Sequence, residues 1–317
     1  MKLFIIGCGS IGTRHAKNIA ARQHELVLYD VDTARAKQLA AELAATRVAS
    51  IDEGIALKPD AAFICTPPKL HVPQALQCVR ANIPVFVEKP LAHALDDVET
   101  LAREAEERKV PTMVACNLRF TAGLQKIKEL LPQLGTLMLA RVEFGYDLRK
   151  WRPGQDYRTN YAASRSEGGG IVLDAIHELD YALWLLGKPT KAFSKVMRSG
   201  QLDIATEDHA EFVLDLEHCP TVSMHLDYLN PTYTRGCSII GERGALYWDF
   251  GTGAVRALID GKEQTIPTTS DVNAMYVTQL DHFLSSLQNG TAPMNPVREA
   301  AATLDCALAL RTAGERQ

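Results

Sequence analysis

The chain has 317 residues, of which 46% are apolar, and a formal net charge of −4. That length exceeds one typical core and predicts two domains. So mild a charge gives no electrostatic case for binding nucleic acid or an acidic membrane, and no apolar run approaches a bilayer span.

In chain order, KLFIIG, ELVLYD, DAAFICT, PVFVEK and PTMVAC read as buried strands, with helical patterns over 11–22, 32–44, 69–81 and 94–108 between them. This alternation predicts a doubly wound parallel sheet with helices on both faces. The opening MKLFIIG is apolar too briefly for a leader and reads as the first strand. Near Asn117 the rhythm changes. A short helix over 121–131 precedes a long strand, TLMLARVEFGY, and then a polar stretch of about twenty residues, long enough to hint at function. A helix over 172–186 follows.

From residue 190 strands dominate. In TVSMHLDY, Val222, Met224, Leu226 and Tyr228 alternate with Ser223, His225 and Asp227; in EFVLDL, Phe212, Leu214 and Leu216 share a face. Period-two alternation marks antiparallel strands with unlike faces. Helices over 273–288 and 297–312 close the chain. The fold class is α/β: a dinucleotide-binding domain over 1–118, then an α+β domain over 119–317 with a large, mostly antiparallel open sheet. The seven cysteines form no CxxC or other zinc spacing, so they read as free, mostly buried thiols of a cytoplasmic protein with no metal site.

Three segments carry chemistry. GCGSIG places Gly7, Gly9 and Gly12 in GxGxxG spacing directly after a strand and at a helix start. The first glycine permits a tight turn, the second close approach of a pyrophosphate, and the third helix–strand packing, while the helix N-terminus offers N–H groups to phosphate. The second strand ends in Asp30, where a carboxylate binds ribose hydroxyls and repels a 2′-phosphate; NAD is expected over NADP, with Arg35 nearby as the softening feature. The alternative is a turn that merely packs, with Asp30 capping the next helix. TPPKLH (66–71) and EKP (88–90) follow two further strands, where open sheets bind ligands. Lys89, if buried, would have a lowered pKa and could move a proton.

GGGIVLDAIHELD (168–180) supports three readings: a solvated polar helix face, a metal site, or an acid/base centre. On one helix, at about 100° per residue, Asp174, His177, Glu178 and Tyr181 gather opposite an apolar stripe, and Asp174 reaches both His177 and Glu178. The metal reading lacks remote ligands, since no other His/Asp/Glu cluster has ligand spacing. The acid/base reading gains from EKP and the glycine loop. Glu178 has no role in it.

Together GCGSIGTRH, TPPKLH, EKP, NLRF and GGGIVLDAIHELD resemble the Gfo/Idh/MocA oxidoreductases, the glucose–fructose oxidoreductase and inositol dehydrogenase group, in its D-x-x-H-E branch. The resemblance covers the first 120 residues and 168–187. It implies a Rossmann domain, an oligomerising C-terminal sheet (homodimer or homotetramer), and NAD(P)-linked oxidation or reduction of a sugar, sugar acid, nucleotide sugar or polyol. By it, Lys89, Asp174 and His177 are catalytic and the 89–90 bond is cis. Many relatives step four positions from this aspartate to the histidine; here the step is three. Expected cofactor contacts are Gly7, Gly9, Ser10, Ile11, Gly12, Asp30, Thr66, Pro67, His71, Glu88, Lys89 and Asn117. Expected substrate contacts are Lys89, Arg119, Tyr146, Arg158, Tyr161, Asp174 and His177.

The expected mechanism has a substrate hydroxyl between Lys89 and His177. His177 accepts its proton, hydride leaves for the nicotinamide, Lys89 stabilises the alkoxide, and Asp174 orients His177 or binds a neighbouring hydroxyl. The arginines and aromatics of YDLRKWRPGQDYRTNYAASRSE suggest an anionic sugar; a mobile solvated loop is the alternative. An NAD-dependent glycoside hydrolase on the same scaffold and a non-catalytic NAD-binding regulator are the competing functions.

Overall fold

A computed structural model describes residues 1–269 and 271–316; Gln317, the last residue of the expected second domain, lies outside them. Two compact units emerge, Met1–Cys116 with Tyr276–Leu304, and Asn117–Met275 with the chain from Asp305.

The first unit alternates β1 (Lys2–Ile6), α1 (Ser10–Ala20), β2 (Glu25–Tyr29), α2 (Thr33–Leu43), β3 (Thr46–Arg47), α3 (Ile51–Ala56), β4 (Ala61–Ile64), α4 (Pro68–Arg80), β5 (Val85–Val87), α5 (Val98–Arg108) and β6 (Thr112–Val114). The six strands run parallel in the order β3-β2-β1-β4-β5-β6. Every residue of β4 and β5 is buried, as strands covered on both faces must be. The order reverses between β1 and β4, which opens a crevice at their carboxyl ends. The sequence reading misses β3 and α3, which are too short to show a period.

The second unit carries α6 (Ala122–Leu130), β7 (Leu137–Gly145), α7 (Ile171–Asp174), α8 (Ile176–Leu186), β8 (Pro189–Met197), β9 (His209–Leu216), β10 (Cys219–Asp227), β11 (Thr234–Gly241), β12 (Gly244–Asp249), β13 (Ala254–Ile259) and β14 (Lys262–Pro267). Its sheet runs β14-β13-β12-β11-β7-β10-β9-β8, antiparallel except for β7 beside β10. The alternation expected of β9 and β10 is present as far as Leu226: Phe212, Leu214, Leu216, Val222, Met224 and Leu226 are buried, while Glu211, Ser223 and His225 are part-exposed. Asp227, expected on the polar face, is buried, its carboxylate held by His225 and by the N–H groups of Leu229 and Asn230.

Two helices close the chain, α9 (Val272–Asn289) and α10 (Val297–Glu315). Residues 276–304, expected with the C-terminal half, pack in the first unit. Phe283 of α9 lies edge-on to Phe63 and Phe86, at 5.7 and 5.5 Å between ring centroids, and those two stack at 4.7 Å. Such aromatic pairs contribute about 0.5–1.5 kcal/mol each beyond buried area. Asn295 Nδ2 donates to the Val114 carbonyl at 3.0 Å, and the Val297 N–H donates to Thr112 Oγ1 at 3.0 Å. Helical periodicity announces that a face is buried, not which sheet it meets.

Candidate active site

The first unit holds the glycine loop. Gly7 turns the chain with φ +97°, and a Cβ there would lie 2.8 Å from the Cys65 carbonyl; at Gly12 a Cβ would lie 1.8 Å from the Gly7 oxygen. Both glycines are therefore demanded by chain-to-chain packing. A Cβ at Gly9 meets nothing within 4 Å, so this edge faces open space where a pyrophosphate fits. The first turn of α1, at Ser10 and Ile11, has no side-chain cap, leaving the positive helix end for an anion.

Asp30 is 8% exposed. Its Oδ2 accepts the Cys8 N–H at 2.6 Å, its Oδ1 accepts the Asp32 N–H at 2.8 Å, and Arg35 Nη1 stands 3.4 Å away. The cap of α2 is Asp32, which accepts the N–H groups of Ala34 and Arg35. Asp30 is thus not the helix cap. It braces the glycine loop from the end of β2, and the residues present fit a dinucleotide.

Two further loops, after β4 and β5, meet through His71. Thr66 Oγ1 donates to Gln74 Oε1 at 2.6 Å, and Pro67 is exposed at the start of α4. His71, 1% exposed, sets Nε2 2.7 Å from the Thr66 carbonyl and Nδ1 2.9 Å from the Pro90 carbonyl. Burial holds its pKa below 6.5, against the opposing pull of the two carbonyls. The Lys89–Pro90 bond is cis and Lys89 is half-buried. Glu88, expected at the cofactor, lies 2.7 Å from Nε2 of the fully buried His15 on α1 and accepts the Lys89 N–H at 3.2 Å. His15 lies in GCGSIGTRH, but nothing in its local spacing points to a carboxylate 73 residues away.

The second unit holds the other expected group. The predicted helix over 172–186 breaks at Ala175, where φ is −93° and ψ 29°, into α7 and α8. Asp174 ends one and His177 opens the other, so they do not share one continuous helix face. Asp174, 5% exposed, accepts the Tyr161 hydroxyl at Oδ1 and the Tyr228 hydroxyl at Oδ2, the latter at 2.9 Å. His177 is 7% exposed. Gly170 (φ +108°) leaves room for Glu207, and the Ile171 N–H donates to the Glu207 carbonyl at 3.1 Å. Burial raises the Glu207 carboxyl pKa.

The polar side of α8 is not a solvated face. Glu178, with no exposed surface, forms an ion pair with Arg235 of β11, Nε to Oε1 at 2.8 Å, and Arg235 lies over the Phe144 ring at 4.3 Å. This gives Glu178 the anchoring role that the sequence left blank. Tyr181 donates its hydroxyl to the Gly236 carbonyl at 3.1 Å.

Two expected substrate residues have other partners. Arg119, buried in the 3-10 turn Asn117–Phe120 that also buries Asn117, grips Asp180 of α8 through two bonds, 2.7 and 2.8 Å. Arg158 is exposed and bound to Asp156. The polar stretch is a series of 3-10 turns rather than a featureless loop. Its charges are largely matched: Arg149 pairs with Asp147, Arg165 with Glu315, and Lys150 donates to the Pro231 carbonyl. Tyr146 is half-buried, its ring 5.6 Å from that of Tyr233. Tyr228 escaped the sequence reading because its place in the apolar phase of TVSMHLDY reads as core.

A parallel doubly wound unit with a glycine-loop cradle at the end of its first strand defines a dinucleotide-binding class of fold. Residues 1–116 match the family model described as an oxidoreductase family with an NAD-binding Rossmann fold, and 124–247 match the family's C-terminal domain. The chain belongs to the Gfo/Idh/MocA family, and its N-terminal unit is the family's NAD-binding Rossmann domain.

It is 31% identical over 193 residues to a myo-inositol dehydrogenase of Streptomyces leeuwenhoekii, across 59% of this chain and 56% of that protein. The match thus spans little more than half of that relative. Its fold is that of a UDP-N-acetylglucosamine 3-dehydrogenase from Acidithiobacillus ferrooxidans, with a TM-score of 0.84 at 20% identity over 100% of this chain and 98% of the other. A levoglucosan dehydrogenase in complex with NADH and levoglucosan superimposes with a TM-score of 0.89 at 15% identity, over 100% and 97%. Among the described residues no helix is long and apolar enough to cross a membrane.

Proposed function

We propose that this protein is an NAD-dependent dehydrogenase of a secondary hydroxyl on a sugar or polyol, or catalyses the reverse reduction. The observation that carries the reading is Asp174 fixed by the hydroxyls of Tyr161 and Tyr228, three residues before His177, in a chain that also carries a dinucleotide cradle. NAD supplies a hydride acceptor when bound. His177 takes the hydroxyl proton, since an imidazole exchanges protons near neutral pH. Lys89 opposes the developing alkoxide charge. Asp174 and Tyr161 hold a neighbouring hydroxyl, and the two phenols keep the carboxylate in one orientation.

Asp30 favours NAD over NADP in this reading. A neutral substrate fits better than the anionic sugar suggested by composition, because Arg119, Arg149, Arg158 and Arg165 already have carboxylate partners. The seven free cysteines support a reducing, cytoplasmic setting. Exposed Phe193 and Val213, paired across β8 and β9, support self-association through the open face of the large sheet.

A panel of sugars, sugar acids and polyols with NAD and NADP, followed by absorbance of the reduced cofactor, tests the reaction. Glycoside turnover with no accumulation of reduced cofactor would overturn it. Lys89→Ala is expected to keep NAD binding in a fluorescence titration and to lose turnover; retained turnover removes Lys89 from the mechanism.

A further inference from the structure

The open face of the large sheet carries a second constellation. Pleating sends residues i and i+2 of a strand to one face, and here two such pairs lie side by side: His209 and Glu211 on β9, His225 and Asp227 on β10. Glu211 is the cross-strand partner of His225, and His209 of Asp227. The sequence shows no ligand spacing because the grouping is made across strands, not along one.

We propose that His209, Glu211 and His225 form a binding site for a divalent transition-metal cation of the zinc type. Their donor atoms all lie within 4.8 Å of one another. His225 Nδ1 and His209 Nε2 both point at Glu211 Oε1, from 2.6 and 3.1 Å. Two ligands on one tetrahedral zinc stand roughly 3.3 Å apart, given zinc–nitrogen and zinc–oxygen bonds of about 2.0–2.2 Å. To admit the ion, Glu211 Oε1 would part from His225 Nδ1 by about 0.7 Å and from His209 Nε2 by about 0.2 Å. Imidazole nitrogen with carboxylate oxygen suits zinc and its neighbours, and three protein ligands leave a fourth position for water.

A second observation supports the site. The ring nitrogen of His225 that faces away from the donors, Nε2, is 2.8 Å from Asp227 Oδ2. A carboxylate on the outer nitrogen of a ligating histidine fixes its tautomer and strengthens it as a ligand. Asp227 is itself pinned: its Oδ1 accepts the N–H groups of Leu229 and Asn230 at 2.6 and 2.5 Å. Residue 145 on the adjoining strand is glycine, where a Cβ would lie 2.4 Å from Asp227 Oδ2. Glu211 and His225 line an open concavity of about 710 Å³ on this sheet face, which gives an ion access in the single chain. The bound ion would staple β9 to β10.

The test uses the full, untagged chain, stripped with chelator and titrated with zinc chloride by calorimetry. One ion per chain is expected, together with a rise in Tm that chelator reverses. His225→Gln and His209→Gln are each expected to weaken binding at least tenfold while dehydrogenase turnover stays unchanged, since neither residue belongs to the proposed active site. Circular dichroism checks that each variant is folded; if one is not, the other reads the same site. Cobalt(II) in place of zinc should give ligand-field bands that either variant abolishes. Absence of binding by the wild-type chain overturns the proposal, as does undiminished binding by a folded variant, which would assign the ion to a thiol such as Cys306.

Discussion

His15 and Glu88 meet at 2.7 Å inside the first unit, joining the helix that begins at the glycine loop to the segment that presents Lys89. The imidazole has no exposed surface and lies among the rings of Phe63, Phe86 and Tyr276. A hydrogen bond to a charged group contributes about 1.5–3 kcal/mol. His15→Ala should lower kcat roughly tenfold or more, about 1.4 kcal/mol per decade, with a smaller change in KM. His15→Gln, which keeps a donor near the same place, should restore much of the rate. Steady-state kinetics on both variants checks this; equal loss in both would make the residue a packing element only.

Arg119 and Asp180 form a buried two-bond pair, each with 1% of its side chain exposed. Removing one partner leaves the other charge buried, at a cost of about 3–5 kcal/mol. Arg119→Ala should therefore lose stability on that scale in urea unfolding. A variant as stable as wild type but with a raised KM would return Arg119 to the substrate role suggested by its sequence position.

Replacing Asp30 separates cofactor recognition from loop bracing. Asp30→Ala removes acceptors for the Cys8 and Asp32 N–H groups and the negative charge that disfavours a 2′-phosphate. NAD affinity should fall about tenfold or more, consistent with losing a charged hydrogen bond, and the NAD-to-NADP affinity ratio should fall as well. A loop defect alone would weaken both cofactors together, so an unchanged ratio counts against the ribose role.

The pH dependence of stability should carry a signature of His71. Its folded pKa lies below 6.5 because it is buried. Above pH 6.5 the ring is neutral in both states and carries no penalty. As pH falls below 6.5 the unfolded chain takes up a proton that the folded chain resists, and stability declines. Thermal melts in this range should show that decline, shallower in His71→Gln. It should not vanish, because His24 and His282 are lowered in the same direction by burial. A wild-type Tm that is flat below pH 6.5 contradicts the assignment.

Much of this protein was written locally. KLFII followed by GCGSIG determines a strand, a turn and a helix start, because steric demands at Gly7 and Gly12 are met within a short stretch of chain and by the adjoining strand. The period-two pattern of β9 and β10 determines which of their residues face the core. The tertiary structure decided what each polar group meets. It broke the helix at Ala175, gave Glu178 to Arg235 and Arg119 to Asp180, brought Tyr228 to Asp174, and returned Phe283 to the aromatic cluster of the first sheet. Periodicity carries the direction of a side chain and not the identity of its partner. An ion pair or a ligand set joins residues far apart in sequence, and only the register of strands and the packing of helices bring His225 to Glu211 or His15 to Glu88.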